Sequence, residues 1–174
     1  MLPENYWEIV LRLGLALVLG GIIGIERSGT NHDAGMRTHI LVCLGASAIM
    51  VISQTMHGVY GGDIGRMGAQ VVSGIGFLGA GIIFRGKGAV KGLTTAAGVW
   101  ATATIGIAIG FGFYWGAVTV ALLFMITIIL FAKLERGKRA TEVIYLELDD
   151  MSRVNDIKHE LKEIIVVDFI FRIM

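Results

Sequence analysis

A hard divalent cation such as Mg²⁺ takes oxygen ligands and keeps several waters. The carboxylates placed to meet one at the edges of this chain's apolar segments are Glu26, Asp33 and Asp63, each of which also suits a salt bridge or a helix cap. The densest polar stretch, GIERSGTNHDAGMRTH from Gly24 to His39, brings Glu26, Arg27, Asp33 and Arg37 to the ends of neighbouring apolar runs. These four suit an ion-pair network closing one side of a helical bundle; the alternative is a topology-setting loop of solvated charges. Between Asp63 and Glu135 the sequence has no carboxylate, which argues against a carboxylate-relay transporter. His32 and His39 lack helical ligand spacing, and His32, His39, His57 and His159 each read as solvated loop or surface residues. No nucleophile-base pair or metal cluster has persuasive spacing, so an enzyme is not expected.

A second pattern, Gly74-Ile-Gly-Phe-Leu-Gly79, matches the dinucleotide fingerprint GxGxxG, but it lacks the preceding soluble strand and the acidic residue about 20 positions later. With Gly81 it places four glycines in an apolar run, which suits close helix packing or a helix broken beside an ion path. The spacing small-xxx-small recurs at Gly20/Gly24, Ala69/Ser73, Gly76/Ala80, Ala97/Ala101 and Gly106/Gly110. Gln70, Ser73, Thr94 and Thr95 are the polar residues able to face such a path or to hydrogen-bond between helices.

The elements that must hold these residues are transmembrane helices. Of 174 residues, 55% are hydrophobic and 17% charged, with a mean hydropathy of +0.73, a balance far from that of soluble domains. Five apolar stretches, Ile9–Ile25, Thr38–Met56, Met67–Phe84, Leu93–Phe113 and Tyr114–Leu134, each have the roughly 20 residues that cross a bilayer. The fold class expected is an all-α polytopic membrane protein carrying a small cytoplasmic α/β unit. With the N-terminus outside, the inner segments hold Arg27, Arg37, Arg85, Lys87, Lys91, Lys133, Arg136, Lys138 and Arg139, against Arg66 alone in the outer loops. Arg12, one turn into the first helix, is then expected to snorkel to the outer interface. Glu4 and Glu8 precede it, the reverse of a signal peptide's basic start, so the first helix should remain as an anchor. The lone Cys43 reads as a packed thiol, and a net charge of +1 without a basic face gives no nucleic-acid signal.

The transmembrane domain is read as residues 1–136. Residues 141–174 change character: EVIYLELDD alternates as a strand, Val154, Ile157, Leu161 and Ile164 keep helical spacing, and the stretch from Ile165 to Ile173 is again strand-like. This β-α-β portion is too small to bury a core alone. It is expected to pair with a second copy or to continue beyond Met174.

GGIIGIER, AGMRTHILVCLGA, DIGRMGAQVVSGIGFLGAGIIF and KGLTTAAGVWATATIG, in that order, resemble the signature blocks of the MgtC/SapB family of bacterial inner-membrane proteins. The resemblance spans residues 9 to 134 and implies five helices with an ACT-like cytoplasmic domain, of which residues 141–174 would form the first part. It implies a non-enzymatic role in adaptation to low magnesium, associated in pathogens with virulence. It further implies modulation of the F-type ATP synthase or of ion homeostasis, with small membrane peptides among the partners. Mg²⁺ or other cation transport is the alternative it leaves open. Carried onto this sequence, the motifs mark Glu26, Arg27, Arg37 and Thr38 at the inner end. They mark Asp63, Arg66 and Gln70 at the outer end, and Gly74, Gly76, Gly79, Gly81, Thr94, Thr95 and Trp100 in the membrane. Ser28 departs from the acidic or polar residue that often follows Glu-Arg. A symmetric homodimer through a glycine face is the simplest assembly expected.

Overall fold

The computed structural model describes residues 5–29, 34–85 and 90–136. In chain order these form α1 (Tyr6–Gly29), α2 (Met36–Tyr60), α3 (Gly65–Ile82), β1 (Phe84–Arg85), β2 (Val90–Lys91), α4 (Leu93–Phe111) and α5 (Tyr114–Arg136). The proposed β-α-β portion lies outside the described residues. The chain divides into two compact units, Met1–Ile128 and Ile129–Met174; of the second, only the last turns of α5 are described.

Four helices have the length and hydropathy to cross a membrane: α1, α2, α4 and residues Tyr114–Ala132 of α5. The fifth expected span corresponds to α3, which is not among them. Its 18 residues include Arg66, Gln70, Ser73 and six glycines, and these dilute its hydropathy. The helices also run beyond the apolar stretches, from Tyr6 rather than Ile9 and to Tyr60 rather than Met56, because backbone hydrogen bonding continues where side chains turn polar or aromatic.

Local chemistry sets the helix ends. Ser28, on α1, accepts the backbone N–H of Met36 at 2.8 Å, so the start of α2 is capped from the preceding helix. The Asp63 carboxylate accepts the Gly65 N–H at 2.8 Å and caps α3. At the end of α4, Gly112 adopts φ +86°, with its N–H on the Ile109 carbonyl at 2.9 Å and that of Phe113 on the Ala108 carbonyl at 2.8 Å. This is a Schellman ending, and it turns the chain into α5 within two residues. Between α3 and α4 a two-residue antiparallel ladder pairs Phe84 with Lys91 and Arg85 with Val90, which the sequence pattern did not foretell.

The helices alternate in direction, and α2 is central. Against α1, a Cβ at Gly20 would stand 2.9 Å from both the Cβ of Cys43 and the His39 carbonyl, and one at Gly24 would strike Met36. Against α4, Gly106 and Gly110 lie on the backbone of Cys43 and Ser47. Of the five small-residue pairs, Gly20/Gly24 and Gly106/Gly110 therefore make the close crossings. Ala16, Ile23, Cys43, Ile105, Ile109, Ala117 and Ala121 complete the buried cluster, drawn from α1, α2, α4 and α5. At the α1 N-terminal end, exposed aromatics gather from four helices and their turns: Tyr6, Trp7, Tyr60, Phe111, Phe113 and Trp115.

Two outcomes follow from this arrangement. Gly110→Leu should lower the stability of the detergent-solubilised chain by about 1–3 kcal/mol or more through overpacking, whereas Gly76→Leu should leave its melting temperature unchanged; comparable melting would show that the assigned crossing is wrong. In single-tryptophan variants in vesicles, headgroup-level quenchers should dim Trp7 and Trp115 strongly and Trp100, about 10 Å along α4 from its start, weakly.

Candidate functional site

The two buried arginines of the helical unit, Arg12 and Arg27, stand toward its opposite ends. At the α1 N-terminal end Arg12 is 1% exposed. Its Nε donates to the Tyr114 hydroxyl at 3.2 Å and its Nη1 to the Gly110 carbonyl at 2.7 Å. Its remaining contacts are the Gln54 side-chain oxygen and the Glu8 carboxylate, one helical turn away. Gln54 in turn donates to the Phe111 carbonyl at 2.8 Å. One guanidinium thus joins α1, α2, α4 and α5 and, with Gln54, answers the last carbonyls at the α4 C-terminus, those of Gly110 and Phe111, where the helix dipole favours a cation.

This corrects the expectation that Arg12 snorkels outward. Gly112 leaves the room that admits the guanidinium: a Cβ there would stand 3.0 Å from Nη2. Satisfying the donors on protein acceptors then replaces satisfying them with water. Gln54 and Tyr114 were not marked by the sequence reading. A glutamine 42 positions away and a tyrosine 102 away carry no spacing signal.

At the opposite end Arg27 is buried and its Nε donates to the Glu26 carboxylate at 2.6 Å, with a second contact from Nη2 at 3.2 Å. Ser28 bonds the Gly24 carbonyl as well as capping α2. His39 sits one turn into α2, with Nδ1 2.9 Å from the Gly35 carbonyl. It is fully buried, which overturns its reading as a surface residue. α4 approaches the ring's Nε2 at Gly98, and α1 approaches the His39 carbonyl at Gly20.

The other marked residues are dispersed. Arg37 and Thr94 are exposed, Thr38 is half-buried, and Thr95 is buried. Asp63 caps α3, and Arg66, also exposed, donates its backbone N–H to the Asp63 carbonyl at 3.3 Å. Gln70 and Gly74 line a groove of about 670 Å³ between α2 and α3, with Leu41, Gly45, Met67 and Leu78. A Cβ at Gly79 would stand 3.6 Å from the Ala96 methyl, while at Gly74, Gly76 and Gly81 no other helix among the described residues comes within 4 Å of where a Cβ would stand. Trp100 is half-exposed on α4. Asp33 lies outside the described residues. Among the described residues no three His, Cys, Asp or Glu side chains come together as a metal centre.

The four-helix junction can be tested directly. Arg12→Ala should cost about 3–5 kcal/mol, the usual consequence of removing one partner from a buried polar network, and should lower the melting temperature of the purified chain. Arg12→Lys should recover little, since an ammonium lacks the planar fork that reaches Tyr114, Gln54 and Gly110 together. Gln54→Leu should cost about 1–3 kcal/mol. Melting of Arg12→Ala indistinguishable from wild type would remove the junction from any structural role.

The MgtC family model matches residues 13–137. Similar curated proteins include YhiD of Escherichia coli (strain K12), whose name describes a candidate magnesium transporter. It is 43% identical over 114 residues, 62% of this chain and 53% of YhiD. Protein MgtC of Brucella abortus (strain 2308) is 45% identical over 113 residues, 65% of this chain and 46% of the relative. Protein MgtC of Salmonella typhimurium (strain 14028s) is 41% identical over 121 residues, 70% of this chain and 51% of the relative. The chain therefore spans about half the length of the curated relatives it matches. No solved structure matches it significantly. With the family model matching residues 13–137, well over half of the chain, this chain belongs to the MgtC family.

Proposed function

We propose that this chain is a non-enzymatic protein of the bacterial cytoplasmic (inner) membrane that regulates adaptation to low magnesium by docking on a membrane partner, the F-type ATP synthase or another determinant of ion homeostasis. Its N-terminus lies outside and the far end of α5 lies in the cytoplasm. Arg27, Arg37, Arg85 and Lys91 support that orientation, standing at the end opposite Arg66. In pathogenic hosts the same adaptation would serve virulence.

The observation that carries this reading is the unequal use of glycine. On α1 and α4 the paired glycines are filled by the chain's own backbone, whereas α3 leaves Gly74, Gly76 and Gly81 uncovered beside Phe77, 82% exposed, and Leu78. A helix face of that kind is suited to a second helix, whether from another copy in a homodimer, a small membrane peptide or a larger partner. Arg12, Gln54 and Glu26 support the same reading, since each is engaged in contacts that hold helices or charges together.

A cation transporter or channel is the second reading. Gln70 favours it, as an exposed polar side chain in the α2/α3 groove near the Asp63 end, and so does the name borne by the YhiD relative.

Mg²⁺ flux into liposomes containing the purified chain, read by an internal indicator, separates the two. Saturable flux that falls in Asp63→Asn and Arg37→Ala would establish transport and overturn the regulatory reading. The regulatory reading expects no flux above empty vesicles, together with altered ATP-driven proton pumping in inverted vesicles that Gly76→Leu abolishes.

A further inference from the structure

We infer that His39 is a proton-operated catch between α2 and α4 at the Arg27 end of the bundle. The ring's tautomer follows from its one hydrogen bond. A carbonyl only accepts, so Nδ1, 2.9 Å from the Gly35 carbonyl, carries the hydrogen, and in the neutral ring Nε2 is a bare acceptor. Nε2 is buried and has no hydrogen-bond partner among the described residues. It faces α4 at Gly98, where a Cβ would stand 3.8 Å from it and 3.4 Å from the Phe124 ring of α5. The acceptor that Gly98 itself offers, its carbonyl, already receives the Thr102 hydroxyl at 2.8 Å.

Buried polar atoms without partners are rare in folded proteins. This one tolerates its setting only while neutral. A proton on Nε2 would create a donor facing Gly98 of α4, whose carbonyl already receives Thr102. It would also place a second positive charge within electrostatic reach of Arg27, whose carboxylate partner is Glu26. The charged groups bearing on His39 from α1 are these two. The neighbour given for its ring on α4, Gly98, is uncharged, and Arg37 on α2 is exposed; the electrostatic partners of His39 among the described residues are thus Arg27 and Glu26. Protonation is therefore accommodated by separating α2 from α4 so that Nε2 reaches water. Opening takes up a proton, so falling pH favours the open arrangement. The inference is independent of which partner or ion the protein serves.

Cys43, the single cysteine, reports on this movement: it lies one turn further along α2 and is fully buried. Maleimide labelling of the full chain in nanodiscs would be timed for wild type and His39→Gln at each pH. Dividing one rate by the other removes the thiol's own ionisation. Because the open ring takes up a proton that the closed one lacks, the ratio should rise severalfold from pH 7.5 to pH 5.5. Hydrogen exchange across residues 93–102 in wild type alone, corrected for intrinsic rates, should lose protection by a similar factor, and it decides the matter if His39→Gln does not fold. A flat ratio, or unchanged protection over that pH range, would overturn the catch.

Discussion

A guanidinium withdrawn from water must have its donors met by the protein, and in this chain that requirement binds four helices to one another. Arg12 is reached by acceptors from α1, α2, α4 and α5. No two of those helices can separate at that end without leaving a charged or carbonyl group unanswered. The Schellman turn after α4 and Gly112 are part of the same arrangement, since Gly112 leaves room beside the guanidinium at the helix end whose Gly110 carbonyl it meets. Van der Waals packing alone gives little preference among helices in lipid, because lipid tails are as apolar as leucine. A buried polar junction supplies the missing specificity.

Glycine supplies the closeness. α1 and α4 approach α2 at positions where a single methyl group would collide with backbone, and the bundle's interior is correspondingly built from Ala, Gly, Ser and Thr as well as Ile and Val. α3 is made from similar residues but used differently. It rests on α4 through Gly79 and near α2 through Gly68, while no other helix among the described residues fills the Cβ positions of Gly74, Gly76 and Gly81. The same residue type thus serves internal packing on two helices and an uncovered face on a third.

The Arg27 end differs from the Arg12 end in how completely its polar atoms are answered. Ser28 bridges α1 and α2, and Glu26 meets Arg27, yet His39 keeps a buried nitrogen without a partner among the described residues. One end is held by a saturated network, the other by packing around a titratable ring.

Much of this was legible in the residues themselves. Apolar runs of bilayer length determined a helical membrane protein, and the motif blocks from Gly20 to Gly106 determined its family, because such features depend only on neighbours along the chain. The pairs Gly20/Gly24 and Gly106/Gly110 were readable as contact positions for the same reason, although nothing in their spacing separated them from Gly76/Ala80, which faces outward. The hydropathy of α3 and the caps from Ser28 were harder to read, since one is diluted by polar and small residues and the other crosses between helices. Only the tertiary structure decided that Arg12 turns inward and that His39 is sealed. Both outcomes depend on what residues 40 to 100 positions away bring to the same point, and a charged side chain near a membrane surface carries no local mark of whether water or another helix will meet it.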